Sequence, residues 1–197
     1  MENVHMSTTP SRDLPRHYEG KAIVGAPIEA VFGHIDDHSR LSSHMNRSSW
    51  MMGGGRMDIQ VDEGRGQQIG SKIRLTGTVC GLRLSVEEIV TERAFPYRKT
   101  WETIGHPRLV IIGHYQMGFE LSPDSAGSML RVFINYALPE RGWGRWLGII
   151  FANFHAGWCT EKMLKDTVRH FRDAGPVQLS NDRIDDQPLR TKFESRR

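Results

Sequence analysis

The alternation of apolar and polar residues along the chain predicts a first strand, two short helices, six further strands and one long helix. The first predicted strand covers residues 17–24. The six later strands cover residues 50–62, 68–80, 82–93, 97–104, 108–121 and 128–137. Since successive side chains of a strand point to opposite faces, this alternation predicts a sheet with one buried face. Strands that follow one another without helices predict antiparallel pairing, because parallel pairs need long crossover connections.

Two short helices are expected between the first and second strands. Pro27 suits the first turn of a helix, because a missing N–H has no partner to lose there. The apolar residues that follow at helical spacing are Ile28, Val31, Phe32 and Ile35. A second short helix is predicted over residues 39–45. Neither helix is long enough to cover the apolar face of the sheet.

The long helix, predicted from Pro139 to about Phe171, is expected to cover that face. At 100° per residue, the stripe centred on Gly157 points toward the sheet. Its members are Trp146, Ile150, Asn153, Gly157, Thr160, Leu164, Val168 and Phe171. Glycine inside a helix costs free energy relative to alanine. We therefore expect either a close approach of the sheet at Gly157 or room there for a ligand.

A second apolar flank of the long helix, called here the α3 flank, consists of Leu147, Phe151, Phe154 and Trp158. Three interpretations are open for these side chains. The α3 flank closes the mouth of a cavity, packs under the Met- and Gly-rich residues 51–55, or forms a dimer or membrane-surface patch. A homodimer through these four residues is one of the expectations that follow.

The order of elements predicts an α+β fold in which a curved antiparallel sheet of about seven strands wraps around a long C-terminal helix. This order resembles the START-like, or SRPBCC, superfamily with its helix-grip fold, and within it the polyketide cyclase/dehydrase and lipid-transport group. The matching residues are Ala26-Pro27-x-Glu29-x-Val31-Phe32 with Asp36 and Asp37, Phe95-Pro96 before Trp101, and Gly127 before Met129-Leu130-Arg131-Val132. The resemblance implies a cavity between sheet and helix, and the fold alone does not choose the function.

The domain organisation predicted from composition is a START-like ligand-binding domain over residues 17–172. A flexible polar arm, 1–16, precedes it, and a disordered polar tail, 173–197, follows it. Two cysteines among 197 residues are too few for a disulfide framework. No apolar run approaches the ~20 residues that a spanning helix needs, and we expect a soluble, cytoplasmic protein. The net charge of +3 is small for a nucleic-acid binder, so no nucleic-acid partner is predicted.

The function expected from this fold is binding, sequestration or transport of a hydrophobic small molecule, lipid or polyketide-like. Apolar walls with a few polar groups suit such a ligand, although plain core packing competes for each residue. The predicted ligand-binding residues are Trp101, Tyr115, Met117, Phe119, Ile134, Tyr136, Ile150, Asn153, Phe154, Gly157 and Thr160. A cyclase or dehydratase is the first alternative, with Tyr115, Tyr136 and Asn153 as candidate catalytic residues that polarise a carbonyl. A protein-interaction module using the α3 flank is the second.

The histidines indicate no catalytic or metal site. His34 and His38 are four residues apart, but the stretch lacks the glutamate of a zinc-protease helix, and a solvated helix end is predicted. His114 and His155 are predicted to lie on outward faces. No metal and no cofactor are therefore predicted.

Nucleophilic and paired-carboxylate chemistry are also disfavoured by the sequence. Cys159 has no locally paired histidine in this prediction and is expected to be an inert thiol. Glu87 and Glu88 are adjacent on one strand, so at most one of them faces inward.

Overall fold

The computed structural model describes residues 13–41, 56–79, 81–139 and 143–174. Three elements come first, and they are β1 (Arg16–Val24), α1 (Ile28–Ile35) and α2 (His38–Leu41). The remaining strands are β2 (Arg56–Val61), β3 (Lys72–Val79), β4 (Leu82–Ala94), β5 (Arg98–Arg108), β6 (Tyr115–Asp124) and β7 (Gly127–Tyr136). The last described element is α3 (Trp143–Asp173). The predicted order of elements is confirmed.

The seven strands form one sheet in the order β1-β7-β6-β5-β4-β3-β2. Every neighbouring pair is antiparallel, from β1 with β7 at one edge to β2 with β3 at the other. The long C-terminal helix packs on one face, mainly over β1 and β7. This is the predicted α+β, helix-grip class.

One predicted strand is wrong in its extent. Residues 108–121 are not continuous, because β5 runs on to Arg108 and β6 begins only at Tyr115. The connection passes close to the chain after β7 at Gly113, where a Cβ atom would lie 2.9 Å from the backbone oxygen of Leu138. Apolar residues in this connection pack against the core and so imitate the alternation of a strand.

The inner face of the sheet follows the predicted alternation elsewhere. On β6 and β7, the paired residues Phe119 and Val132 are buried, as are Met117 and Ile134. The Phe32 ring of α1 packs edge-on against the Phe119 ring, with 5.4 Å between the ring centroids, as aromatic pairs prefer. The core therefore lies between the sheet, α1 and α3.

The predicted sheet-facing stripe of α3 is wrong in the first half of the helix. Trp146 is 72% exposed, Ile150 is 67% exposed, and Asn153 is exposed too. The packed face instead carries Ala152, Ala156, Thr160, Met163, Leu164 and Thr167. Its centre lies about a quarter turn from the Gly157 stripe at 100° per residue. Small alanine side chains let the helix approach the sheet closely, and the bulky residues are turned outward.

Gly157 allows one such close approach. A Cβ atom there would lie 3.0–3.2 Å from the ring of Tyr18 on β1, so the tyrosine ring takes the space of a side chain. On the sheet, Gly20 plays the same part, because a Cβ atom would meet the Leu164 side chain at 2.7 Å. Of the two explanations expected for Gly157, the structure shows the close approach.

Candidate functional site

Three polar side chains meet on the inner face of the sheet, and we call them the Glu88 cluster. Glu88 of β4 is 3% exposed, and His38 of α2 is 1% exposed. One carboxylate oxygen of Glu88 accepts a hydrogen bond from the Tyr115 hydroxyl on β6. The other, Oε2, lies 3.1 Å from His38 Nε2. A buried carboxylate is thus held between a phenol and an imidazole.

Glu88 reaches the interior because of the alternation of β4. Its neighbours on the same face are Leu84, Val86 and Val90, which are all buried. The adjacent Glu87 points to the other face, where its Oε1 accepts a hydrogen bond of 2.9 Å from Arg74 Nε. The prediction that at most one of the two glutamates faces inward is confirmed.

His38 is held in place by a second group of buried charges, which we call the Asp36 cluster. Lys99 is fully buried, and its Nζ donates to the backbone oxygen of Asp36 at 2.6 Å and to Oδ1 at 2.9 Å. Arg93 Nη2 donates to Oδ2 of the same carboxylate at 2.8 Å. These bonds fix the turn between α1 and α2, two residues before His38.

The side chain of His38 is enclosed by its neighbours. Its ring stands edge-on to the indole of Trp101 at 5.0 Å between ring centroids. Gly66 leaves room for it, since a Cβ atom there would lie 3.1 Å from the His38 Cβ. The predicted solvated helix end is therefore wrong for His38. His34 is half-buried and stacks on His170 at 3.8 Å.

Burial and hydrogen-bond geometry indicate which groups of the Glu88 cluster act as donors. Burial, reinforced by the charge of Glu88, raises the pKa of Tyr115 well above its ordinary value. The phenol therefore keeps its proton and donates it to Glu88. Since an ionised carboxylate only accepts hydrogen bonds, we assign His38 Nε2 as the donor to Glu88 Oε2. Nδ1 of His38 is buried and has no hydrogen-bond partner within the described residues.

Cys159 and His155 lie four residues apart on α3. Burial raises the pKa of the Cys159 thiol to about 12 and lowers the pKa of His155. The thiol therefore stays protonated, and its Sγ lies within hydrogen-bond distance of His155 Nε2, at 3.6 Å. The expectation of no local histidine partner is wrong, as is the outward placement of the half-buried His155. A protonated thiol is a poor nucleophile, in line with the predicted inert role.

A pocket of about 560 Å³ lies at the end of the sheet where β5 and β7 end and β6 begins. Its lining residues come from the last part of β5, the β5–β6 connection, the residues after β7 and the chain before β1. They are Asp13, Gly105, His106, Pro107, Leu109, Ile112, Gly113, His114, Ala137, Leu138 and Pro139. His114 is thus part of a pocket wall, and its predicted place on an outward strand face is wrong.

The pocket and the Glu88 cluster adjoin through Thr103 and two consecutive residues of the chain. Thr103 Oγ1 lies 3.1 Å from His114 Nδ1 and accepts a hydrogen bond of 3.2 Å from the backbone N–H of Tyr115. Across β4 and β5, Thr103 is also the register partner of Glu88. The pocket wall at His114 is thus linked to the cluster through Thr103 and Tyr115, and Glu88, His38 and Tyr115 themselves do not line the pocket.

The predicted ligand-binding residues fall into two groups. Most are buried in the core, and these are Trp101, Met117, Phe119, Ile134, Tyr136, Gly157 and Thr160. Ile150, Asn153 and Phe154 are exposed on α3. Tyr115 is half-buried and is the one candidate catalytic residue in the Glu88 cluster. Ligand contacts of all these residues stay predictions.

The sequence analysis missed Glu88, His38 and Lys99 as parts of the site. A signal for Glu88 was present, because it occupies an inward position between Val86 and Val90. Lys99 gave the same kind of signal, two residues before the buried Trp101. A charged side chain at an inward strand position needs a buried partner. His38 gave no such signal, since the fold around α2 alone decides its burial.

Comparison with solved structures shows the same fold in several proteins. TTHA0849 from Thermus thermophilus matches with a TM-score of 0.59 and 14% identity over 81% of this chain and 99% of that one. The di-domain ARO/CYC StfQ from the steffimycin biosynthetic pathway matches with a TM-score of 0.58 and 6% identity over 80% of this chain and 51% of that one. Ara h 8.0201 matches with a TM-score of 0.53 and 12% identity over 80% of this chain and 98% of that one. At such identities the likeness shows the fold alone.

No family model and no curated protein sequence matches the chain. In the part of the chain that the structure describes, no helix is long and apolar enough to cross a membrane. Among the same residues, no three His, Cys, Asp or Glu side chains are grouped so that they could hold a metal ion.

Proposed function

We propose that the protein binds an apolar small molecule in the pocket at the end of β5, β6 and β7. The observation that carries the proposal is the pocket of about 560 Å³. Pockets for small organic ligands typically measure roughly 300–1,000 Å³. The volume therefore suits a ligand of several fused rings or a folded chain.

The walls of the pocket support the same kind of ligand. Leu109, Ile112 and Leu138 offer apolar surface, while Asp13, His106 and His114 add polar groups. Sites for small organic ligands usually combine apolar side chains with a small number of polar groups that orient the ligand. StfQ, which shares the fold, is named as an ARO/CYC of a biosynthetic pathway. That name agrees with a polyketide-like ligand, which we include in the proposal.

A neutral fluorescent probe, N-phenyl-1-naphthylamine, tests the proposal. Leu109→Trp places a larger side chain in the pocket, where it would occupy space that the probe needs. Because the probe then loses apolar contact with the pocket wall, we expect its binding to weaken about tenfold or more. Ile69→Trp is the matched control, since Ile69 is 66% exposed and is not among the pocket residues. Equal affinities in the wild type and Leu109→Trp, or no binding by the wild type, would contradict the proposal.

A second candidate function is an enzyme of the cyclase or dehydratase type, which the Glu88 cluster favours. Tyr115 is bonded to a buried carboxylate, whereas Asn153 is exposed and Tyr136 is buried in the core. We therefore expect Tyr115→Phe to abolish turnover of a poly-β-keto substrate analogue while leaving probe binding intact. Unchanged turnover in Tyr115→Phe, or no turnover by the wild type, would count against this candidate.

The exposed part of the α3 flank supports a homodimer. Phe151 is 48% exposed and Phe154 is 61% exposed, beside the exposed Ile150. Contiguous apolar surface of this kind marks interaction sites. We expect Phe151→Ser with Phe154→Ser to convert a dimer to a monomer in sedimentation velocity, and Ile23→Ser on β1 to leave it dimeric. A monomeric wild type at high concentration would contradict this proposal. Residues 51–55 lie outside the described residues, and so does the predicted packing of the α3 flank under them.

A further inference from the structure

The Glu88 cluster holds unused hydrogen-bond acceptors. An ionised carboxylate has about four lone-pair positions, and the described residues use two of them on Glu88. Nδ1 of His38 is also buried without a partner among those residues. Buried polar atoms without partners cost free energy, so within the described residues the cluster has positions open to a further hydrogen-bond donor on Glu88.

The donors of the cluster, by contrast, are already used. The Tyr115 hydroxyl donates its proton to Glu88, and His38 Nε2–H faces the other carboxylate oxygen. A ligand that offers only acceptors, such as a ketone or an ether, would find both of these hydrogens engaged. A ligand carboxylate would in addition be repelled by the charge of Glu88.

We propose that Glu88, His38 and Tyr115 form a recognition site for the hydroxyl group of a phenol or enol on an otherwise apolar ligand. This inference rests on the proposed binding function, because the ligand body lies in the adjoining pocket. Tyr115 is the half-buried member of the cluster and directly follows His114 of the pocket wall. The ligand hydroxyl therefore approaches past Tyr115 and donates to a free lone-pair position of Glu88.

A phenol or enol fits better than an aliphatic alcohol. Its O–H group is more acidic and donates a stronger hydrogen bond to a charged acceptor. Its planar, apolar body also suits a site whose nearest aromatic neighbour is the Trp101 ring, edge-on to His38.

Three probes of one size test the inference by titration calorimetry. They are 2-naphthol, which donates a hydrogen bond, 2-methoxynaphthalene, which only accepts, and 2-naphthoate, which carries a negative charge. For the wild type we expect 2-naphthol to bind about tenfold more tightly than 2-methoxynaphthalene, as one hydrogen bond to a charged group would give. We expect 2-naphthoate to bind most weakly.

Variants locate the preference within the molecule. Glu88→Gln removes the charge and supplies two donors, and we expect the preference for 2-naphthol to disappear. Glu87→Gln is the matched control on the opposite face, and we expect it to keep the preference. If Glu88→Gln does not fold, the order of the three probes on the wild type decides.

The outcomes separate the inference from the proposed function. Equal binding of 2-naphthol and 2-methoxynaphthalene by the wild type would overturn the hydroxyl site and leave the binding function standing. A preference that survives in Glu88→Gln would also overturn the site. Failure of all three probes to bind would contradict the binding function itself.

Discussion

The Asp36 cluster and the Glu88 cluster are both buried in the same core, yet they use their carboxylates differently. Asp36 and Glu88 are each 3% exposed. The Asp36 carboxylate accepts four hydrogen bonds from Arg93 and Lys99. The Glu88 carboxylate accepts two within the described residues. A buried carboxylate whose acceptors are all taken holds a turn in place, whereas one with acceptors left over can receive a ligand.

The largest expected effect comes from breaking the Asp36 cluster. Lys99→Met removes a buried cation and leaves part of the Asp36 carboxylate without its partner, and we expect the free energy of unfolding to fall by about 3 kcal/mol or more. Urea denaturation measures this change. Arg74→Met, which breaks the exposed pair with Glu87, is the control and should cost below about 1 kcal/mol. A Lys99→Met protein as stable as the wild type would refute the scaffold role.

A smaller loss is expected from Glu88→Leu. This change leaves the Tyr115 hydroxyl and His38 Nε2 without an acceptor, which costs about 2 kcal/mol in unfolding free energy. The loss should stay below that of Lys99→Met, because no buried charge is left unpaired. Urea denaturation of both variants under one set of conditions compares them. A larger loss in Glu88→Leu would reverse the contrast between the two clusters.

Tyr115→Phe sharpens the contrast at alkaline pH. The pKa of Tyr115 is raised in the folded protein. Its hydrogen bond to Glu88 therefore stabilises the fold fully at a pH below the pKa of an unfolded tyrosine, about 10, and this stabilisation is lost as the pH rises through the pKa in the folded protein. We expect the wild type to be about 1 kcal/mol more stable than Tyr115→Phe at pH 8 and this difference to shrink above about pH 10. Urea denaturation at a series of pH values measures it. A constant difference would show that Tyr115 does not titrate as described.

The smallest effect concerns His34, which tests whether an unpartnered buried nitrogen alone marks a site. Its Nδ1 has no hydrogen-bond partner in the described part of the chain, like that of His38, but the His34 ring stacks on His170, whereas His38 is bonded to Glu88. Burial, with the nearby His170 and Arg40 charges, lowers the pKa of His34 to about 4, against the opposing charge of Asp37.

Stability from the neutral His34 ring is therefore present above about pH 6.5 and is lost as the pH falls toward 4. We expect thermal unfolding of the wild type to shift to lower temperature between pH 7 and 4.5 by more than that of His34→Phe. At pH 7 the variant should unfold at nearly the same temperature and keep the 2-naphthol preference. Loss of that preference in His34→Phe would mean that the two imidazoles act together.

The sequence predicted the framework of the fold well, because the local spacing of apolar residues indicates where strands and helices form. The inward residues of β6 and β7 follow from a period of two that no distant contact needs to correct. The α3 face was harder, since helical spacing offered two apolar stripes. The face of α3 that carries Ala152 and Ala156 packs on the sheet, because α3 meets Tyr18 and Gly20 of β1 there. These two residues are far from α3 in the sequence, so helical spacing alone could not identify the packed face.

The candidate site was less predictable for the same physical reason. Tyr115 was found because it stands in an alternating strand with aromatic neighbours. Glu88 and Lys99 broke the apolar alternation of their strands, but only the tertiary structure supplies their partners. His38 lies in a four-residue helix, and its burial depends on Trp101 and on the Asp36 cluster. Long-range pairing, rather than local pattern, therefore builds the site.

The most direct measurement of the central claim is a crystal structure of the wild-type protein with 2-naphthol bound. The account predicts the naphthalene body against the pocket residues Leu109 and Leu138, with the naphthol oxygen about 2.6–3.2 Å from a Glu88 oxygen. A naphthol bound elsewhere, or bound in the pocket with its oxygen turned to solvent, would contradict it.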